Sequence, residues 1–504
     1  MSGLRAGWRS MGFVYGVAIV AVAFVLVSLV PVPPHDFWWY VRLGQEIVAG
    51  GAIPAVDTFS WTRRGAPIVY HSWLGAVLLY ALHRWGGLPA VVAANALSVA
   101  LFFGIAYWAA WRAAGTHRVA APATAVGLLM SSNNWAVRPQ TFALPLFALV
   151  LAACWPLARG RAGARRLRWW LPPLAALWVN LHGSFVLALA VVGAVWAGEL
   201  GRAAADVWRA RREGASRAGV WDTFARGAVA ELTLLTGLIL LATLANPRGV
   251  GAWAYVVRLL TDPPSQAFIV EWQPPRPTTP QGGLFFASLV GLFFALAWAR
   301  RRPRPAELVV LALFAGMGLT STRYVIWYAA VWPLVVAGLW PTPSARQQRT
   351  AFRPLPHAVT LASLFLLPLA VNPWTKARLP LPAKVADLVT PDTPVAAAEW
   401  LRRHPEGGPL FNEMGYGSYL IWAVPEVPVF VDTRVELYPL ELWEEYAAIS
   451  GARYDYEALL ARRGVGRVMA DAVRQAPLVA ALRANPRWEV RYDDGRTIVA
   501  EVKP

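Results

Sequence analysis

Long apolar runs alternate with short polar segments from the N-terminus to about residue 372, and there the alternation stops. A membrane-spanning helix needs about 20 mostly apolar residues, fewer where neighbouring helices bury it. On that measure the runs at 11–32, 88–111, 119–135, 139–158, 169–181, 183–200, 228–246, 284–299, 305–320, 324–340 and 356–372 predict spans. Residues 169–200 count as two because one helix of that length would run about 48 Å, beyond a bilayer core of about 30 Å. The break is expected at Asn180, Leu181, His182 and Gly183, which a membrane permits where the backbone is buried in protein or lines a cavity. Residues 73–85, WLGAVLLYALHRW, are short, carry His83 and Arg84 and stop at a Gly-Gly-Leu-Pro break, so they predict an amphipathic helix at the surface.

From about residue 381 the apolar runs shorten and acids appear. A helical stretch at 393–404 is followed by strand-like ones at 427–432, 465–470, 488–493 and 497–502. The predicted architecture is a polytopic all-α membrane module over 1–372, a linker at 373–380 and a soluble α/β domain over 381–504. Within the module, residues 33–87 form the first extracytoplasmic loop with its interfacial helices.

Composition agrees with that pattern. Hydrophobic residues make up 57% of the 504, whereas a soluble globule is about half apolar even with glycine counted. The net charge of +18 does not point to nucleic acid, because Lys and Arg recur in short clusters between apolar runs instead of lining one face. Counted from a cytoplasmic N-terminus, the inner loops hold Arg112 and Arg118; Arg159, Arg161, Arg165, Arg166 and Arg168; Arg202, Arg209, Arg211, Arg212, Arg217 and Arg226; Arg300, Arg301, Arg302 and Arg304; and Arg346, Arg349 and Arg353. An odd span count then puts the C-terminal domain outside the cytoplasm. Arg5 and Arg9 before Phe13 to Val30 imitate a signal peptide, but VSLVPVPPHD lacks a small-x-small cleavage site, which predicts a retained span. The single cysteine, Cys154, excludes an intramolecular disulfide and a thiolate metal cage.

One polar island interrupts the apolar pattern early, PPHDFWWYVRLGQEIVAGGAIPAVDTFSWTRRGAPIVYHSW over residues 33–73. It interleaves His35, Asp36, Glu46, Asp57 and His71 with Trp38, Trp39, Trp61 and Trp73, and indoles settle at the headgroup level. The same topology places other unusual polar residues at outer span ends: Arg138 and Gln140, Asn180 and His182, Asn246 and Arg248, Glu271 and Gln273, and Arg323. Ionisable groups at membrane depth are costly and usually face a bundle interior or a wet cavity. Their collection on one side predicts an outward-open polar cavity.

The segments HDFWWYVRLG, GAIP, DTFSWT and HSWL, then VRPQTF, LWVNLHGSF, LANPRG and VEWQPP, then FNEMGYGSYLIW and VFVDTRVELY resemble, nearly end to end, a bacterial family of multispanning proteins with no settled donor or acceptor. That family is grouped with the GT-C glycosyltransferases, the superfamily of protein O-mannosyltransferases and aminoarabinose transferases of lipid A. The resemblance implies an enzyme that transfers a sugar from a polyprenyl-phosphate donor, at the lipid bilayer, to a glycan, lipid or protein acceptor on the extracytoplasmic side. It also implies that an acid just after the first span is the catalytic base or a metal ligand, and Asp36 matches that position. Glu46 and Asp57 do not match a second acid clearly, so a divalent cation, Mg or Mn, stays an open expectation.

The residues suit such chemistry. Displacing a polyprenyl phosphate from an anomeric carbon with inversion needs a base for the acceptor's proton and donors for the charge on the leaving phosphate. Asp36 is the candidate base, with His71 and Asp57 beside it in the catalytic set; Arg138 and Arg323 are the candidate phosphate clamps. His35, Trp38, Trp39, Gln140, Asn180, His182 and Glu271 complete the candidate substrate-binding set. Plainer roles stand beside these: Asp36 as a solvated acid at a helix exit, the arginines snorkelling to lipid phosphates, and the tryptophans as interfacial anchors. His182 would then satisfy backbone at the turn, and Glu271 would pair with an arginine. A transporter of lipid-linked saccharides would also need a polar cavity and broken helices, but no inverted repeat is visible and the polar residues sit at one interface. A non-catalytic envelope-assembly subunit would differ only in lacking activity.

Overall fold

The computed structural model describes residues 10–161, 165–213, 227–340 and 354–503. The apolar runs become helices: α1 (Met11–Ser28), α3 (Trp73–Ala114), α4 (His117–Met130), α5 (Gln140–Ala158), α6 (Leu171–Leu181), α7 (Val186–Arg212), α8 (Ala228–Ala242), α10 (Pro280–Ala297), α11 (Pro305–Thr320), α12 (Val325–Leu339) and α13 (Pro354–Ala370). Two more lie between them, α2 (Asp36–Gly50) and α9 (Gly251–Leu260). The chain is a mostly helical membrane protein with a small C-terminal sheet.

Among the described residues six helices are long and apolar enough to cross a membrane by themselves: Met11–Ser28, Trp73–Ala114, Gln140–Ala158, Gly183–Arg212, Pro280–Ala297 and Thr322–Leu339. The remaining expected spans fall short of the length needed. α6 has 11 residues, about 17 Å of helix, and buries Leu171, Ala175 and its last turn from Trp178 to Leu181 while Leu177 stays exposed. Of the six, the last contains α12, which is buried along all 15 of its residues, as befits a helix that is apolar all round. The expected helix at 73–85 ends at Gly86 and Gly87, which leave helical geometry inside α3. Gly87 has φ +64, a conformation that a side chain disfavours.

Contacts at both ends give the direction of the broken segment. Arg168, just before α6, pairs with Glu231 in the first turn of α8 at 2.7 Å. At the other end, Asn180 in the last turn of α6 donates through Nδ2 to Ala245 O, just past α8, at 2.8 Å, so α6 and α8 run the same way. The Trp196 indole of α7 donates to Thr233 of α8 at 2.9 Å, so the chain has turned back, at an extended His182 and one 3-10 turn over Gly183–Phe185. The expected hairpin is therefore present.

The two ends of the bundle differ in charge. At one end Arg301 pairs with the buried Glu307 at 2.6 Å and donates to Gly338 O, and the Arg304 guanidinium lies against Gly160. His35, His71, Arg138, His182 and Arg323 gather at the other end. Arg5, Arg9, Arg217, Arg226, Arg346, Arg349 and Arg353 lie outside the described residues.

In the C-terminal part, β1 (Leu410–Asn412), β2 (Arg467–Asp471), β3 (Trp488–Asp493) and β4 (Thr497–Val502) form one sheet in the order β1-β2-β4-β3. β1 runs parallel to β2, with Phe411 opposite Val468, and the other pairs are antiparallel. The expected helix at 393–404 is α14 (Val395–Arg403), and α15 (Met414–Ala423) follows β1. Residues 427–432 are not a strand. Their backbone pairs with the first outer loop through a single bridge, Ser60 to Val429, in which Val429 N donates to Phe59 O and Trp61 N to Val429 O.

That bridge is one of several ties between the loop and the C-terminal residues. Val32 bridges Val389, the Trp61 indole donates to Leu410 O at 3.0 Å, and one apolar cluster runs from Phe37, Trp38 and Val41 to Tyr416, Leu420 and Phe430. The loop tryptophans are accordingly not headgroup anchors. Trp38 is 1% exposed, packs against Tyr419 and Trp422 at 4.8 and 4.7 Å between ring centroids, and gives its N–H to Pro33 O. Such an indole has no wet end to offer an interface.

Candidate functional site

A cavity of ≈ 420 Å³ opens at the bundle end opposite the arginine-rich one. The start of α2 contributes His35, Asp36, Trp39 and Tyr40; the following loop contributes His71. Arg138 and Gln140 come from the start of α5, His182 from the hairpin turn, Tyr255 from α9, Glu271 and Trp272 from the turn after it, and Arg323 from the turn before α12. Met414, Thr433, Arg434 and Glu436 close it from the C-terminal side.

Asp36 lies in the first turn of α2, where the helix dipole favours a negative charge. Among the described residues no side chain hydrogen-bonds its carboxylate, which leaves its oxygens available to a ligand. Arg138 Nη1 donates to Glu271 Oε2 at 2.7 Å, while its Nε and Nη2 are buried without a partner. Burial alone would raise the Glu271 carboxyl, but Arg138 and Arg323 outweigh it and hold it below the usual range. Arg323 sits 5.2 Å from the Trp272 ring centroid. The N–H groups of Trp39 and Trp272, His35 Nδ1 and Gln140 Oε1 are also buried and unpartnered. Orphaned buried polar atoms are rare in folded proteins. Their concentration here marks a surface prepared for a polar ligand.

The imidazoles of His71 and His182 are neutral. Burial, reinforced by the Arg323 charge, pushes His71 down to about 3. Its ring stacks on Tyr255 at 4.3 Å, and His182 lies 6.1 Å away. His182 is also pushed down, by burial and then by His71. Ser184 N donates to His182 Nδ1 at 3.1 Å, which leaves the remaining ring proton on Nε2. His182 thus caps the hairpin turn while its edge still borders the cavity.

Three residues of the expected site do not line the cavity. Asp57 is 1% exposed and accepts from Phe59 N, Ser60 N, Ser60 Oγ and Arg434 Nη1; a carboxylate so occupied has little left for a substrate. Asn180 accepts from the Trp73 indole at 2.9 Å and donates to Ala176 O and Ala245 O, which stitches the hairpin tip. Trp38 packs in the core as described. Conversely, Tyr40, Tyr255, Trp272, Thr433 and Glu436 line the cavity without having been singled out. The segment VFVDTRVELY carried the only signal for the last two, a dense run of acids and an arginine between apolar residues.

No protein-family model and no curated protein matches the sequence. Among solved structures the chain is similar to the Archaeoglobus fulgidus oligosaccharyltransferase tethered with an acceptor peptide containing the NVT sequon, at 14% identity and TM-score 0.56 over 99% of this chain and 75% of that one. It is similar to ArnT from Cupriavidus metallidurans in the apo state, at 18% identity and TM-score 0.50 over 99% of this chain and 98% of that one. It is also similar to the mycobacterial arabinofuranosyltransferase AftD, at 15% identity and TM-score 0.52 over 97% of this chain and 41% of that one.

The oligosaccharyltransferase has also been crystallised with Zn and sulfate. Here, among the described residues, no three His, Cys, Asp or Glu side chains converge as a metal site would require. A metal therefore enters none of the chemistry below. At such identities the likeness is one of fold, and over nearly its whole length this chain has the fold of the GT-C glycosyltransferases.

Proposed function

We propose that the chain is an integral membrane glycosyltransferase that moves a sugar from a polyprenyl-phosphate carrier to an extracytoplasmic acceptor, inverting the anomeric centre. The observation that carries this reading is the pairing, within one cavity of a GT-C fold, of a carboxylate free of side-chain partners with guanidinium N–H groups that have none. Asp36 takes the proton of the acceptor's attacking group as that group bonds to the anomeric carbon. The bond from that carbon to the phosphate oxygen breaks, and the phosphate leaves with the electron pair. Arg138, through Nε and Nη2, and Arg323 meet the developing charge, and guanidinium geometry suits phosphate oxygens. Glu271, ionised and bonded to Arg138, fixes the guanidinium plane. His35, His71, Gln140 and His182 offer hydrogen-bonding groups to the sugar and the acceptor, and Trp39 offers an aromatic edge.

The apolar part of the lining suits a prenyl chain. Val186, Leu187, Val256, Leu259, Leu260 and Met317 border the cavity, and α9 also exposes Val257. The arginine-rich bundle end faces the cytoplasm in this reading, so the cavity faces outward. The test is sugar release or transfer from radiolabelled polyprenyl-phosphate hexoses and pentoses by the purified protein, with and without EDTA. Turnover of one donor class establishes the activity, and the EDTA arm reads whether a divalent cation takes part. Turnover of none would leave a transporter or an assembly subunit.

A further inference from the structure

Glu436 occupies an unusual position. It lies in a one-turn 3-10 helix, Val435–Leu437, whose two flanking side chains are buried at 1% and 7% exposure, while Glu436 itself opens to the cavity. The turn cannot shift easily. The preceding Arg434 is locked by Asp432 and Asp57, each at 2.6 Å, and the following Tyr438 donates to Asp432. Among the described residues Glu436 has no cationic partner, because Arg434 is spent on the two aspartates. Among the described residues its one side-chain hydrogen bond comes from the Tyr255 hydroxyl to Oε1, at 2.9 Å, and Tyr255 in turn stacks on His71.

We infer that Glu436 is a binding residue for the transferred sugar, supplied to the transmembrane site by the C-terminal segment; the inference rests on the glycosyltransferase reading. A carboxyl beside aromatic rings is the chemistry that holds a sugar, with oxygens that bond its hydroxyls and ring faces that cover its C–H surface. The phosphate does not compete for this place, since the guanidinium donors of Arg138 and Arg323 belong to other elements. Surrounding protein, followed by the Asp36 charge, raises the Glu436 carboxyl. The C-terminal domain is then part of the site itself, and a cover only secondarily.

The test separates sugar from phosphate recognition without needing turnover. Calorimetric titration of the full-length protein with farnesyl phosphate, and with farnesyl phosphate carrying mannose or arabinose, gives the ratio of the two affinities. Wild type is expected to prefer one sugar-bearing ligand. Glu436→Ala is expected to lose about tenfold or more of that preference, the scale of a hydrogen bond to a carboxyl, with its affinity for farnesyl phosphate unchanged. Glu436→Gln, which keeps a donor and an acceptor, is expected to retain most of it. Arg138→Gln should weaken both ligands together and leave the ratio intact. An unchanged ratio in Glu436→Ala, or no sugar preference in wild type, overturns the inference and leaves the glycosyltransferase reading standing. Failure of wild type to bind any of these ligands overturns both.

Discussion

Arg434 reaches back 377 residues to Asp57, placing Nη1 2.6 Å from Oδ1 in a fully buried pair. The same guanidinium donates to the Tyr70 hydroxyl and to both oxygens of Asp432. The first outer loop and the C-terminal segment are thereby closed on each other directly beside the cavity.

Removing one member of such a group strands a buried charge, which costs about 3–5 kcal/mol. Arg434→Met and Asp57→Ala are therefore expected to lower the melting temperature of the detergent-solubilised protein sharply. Asp57→Asn keeps an acceptor for Arg434 and the Ser60 bonds, so its loss should be smaller. Transfer per folded molecule should survive in it, because Asp57 does not reach the cavity.

Arg138 is the clamp with two idle donors. Arg138→Lys keeps the charge but not the fork, and it should raise KM for the lipid-linked donor about tenfold or more, as loss of a charge-assisted bond does. Steady-state kinetics against donor concentration reads this directly. Glu271→Gln should act in the same direction more weakly, since it frees the guanidinium plane without removing it.

The neutral imidazoles give acid sensitivity. His71 is held down to about 3 in the folded chain, against about 6.5 when unfolded. As pH falls below about 6.5 the unfolded state takes up a proton that the folded state refuses, so stability present at neutral pH is progressively lost towards pH 3. Melting temperatures measured from pH 7 to 5 should fall less steeply for His71→Gln than for wild type.

Close helix packing carries a separate expectation. A Cβ on Gly127 of α4 would lie 2.4 Å from Ala329 O of the buried α12, so these backbones meet because no side chain intervenes. Gly127→Val should cost about 1–3 kcal/mol by overpacking, seen as a lower melting temperature with the donor KM unchanged.

Much of this was legible in the sequence because membrane constraints are strong and local. The positions of the apolar runs gave the helices, the Gly86–Gly87 break and the turn at His182. The grouping of His35, Asp36, His71, Arg138, Glu271 and Arg323 followed from asking which polar residues share a bundle end. The differences have a common origin. A carboxylate or indole in a loop carries no mark of which partner it will meet across hundreds of residues, so Asp57 and Trp38, expected in the site, lie outside the cavity, where Arg434 and Trp422 meet them. Glu436 was invisible for the same reason: its exposure to the cavity depends on a 3-10 turn fixed by long-range bonds. Residues 427–432 alternate like a strand, yet their backbone pairs with Phe59 and Trp61.

The most direct measurement is transfer from the preferred radiolabelled donor by Asp36→Asn beside wild type, with donor affinity measured on the same preparations. The expected result is loss of about 10²-fold or more in turnover, the usual worth of a positioned base, with donor affinity within a few-fold of wild type. Turnover retained in Asp36→Asn would contradict the assignment of the base and with it the proposed mechanism.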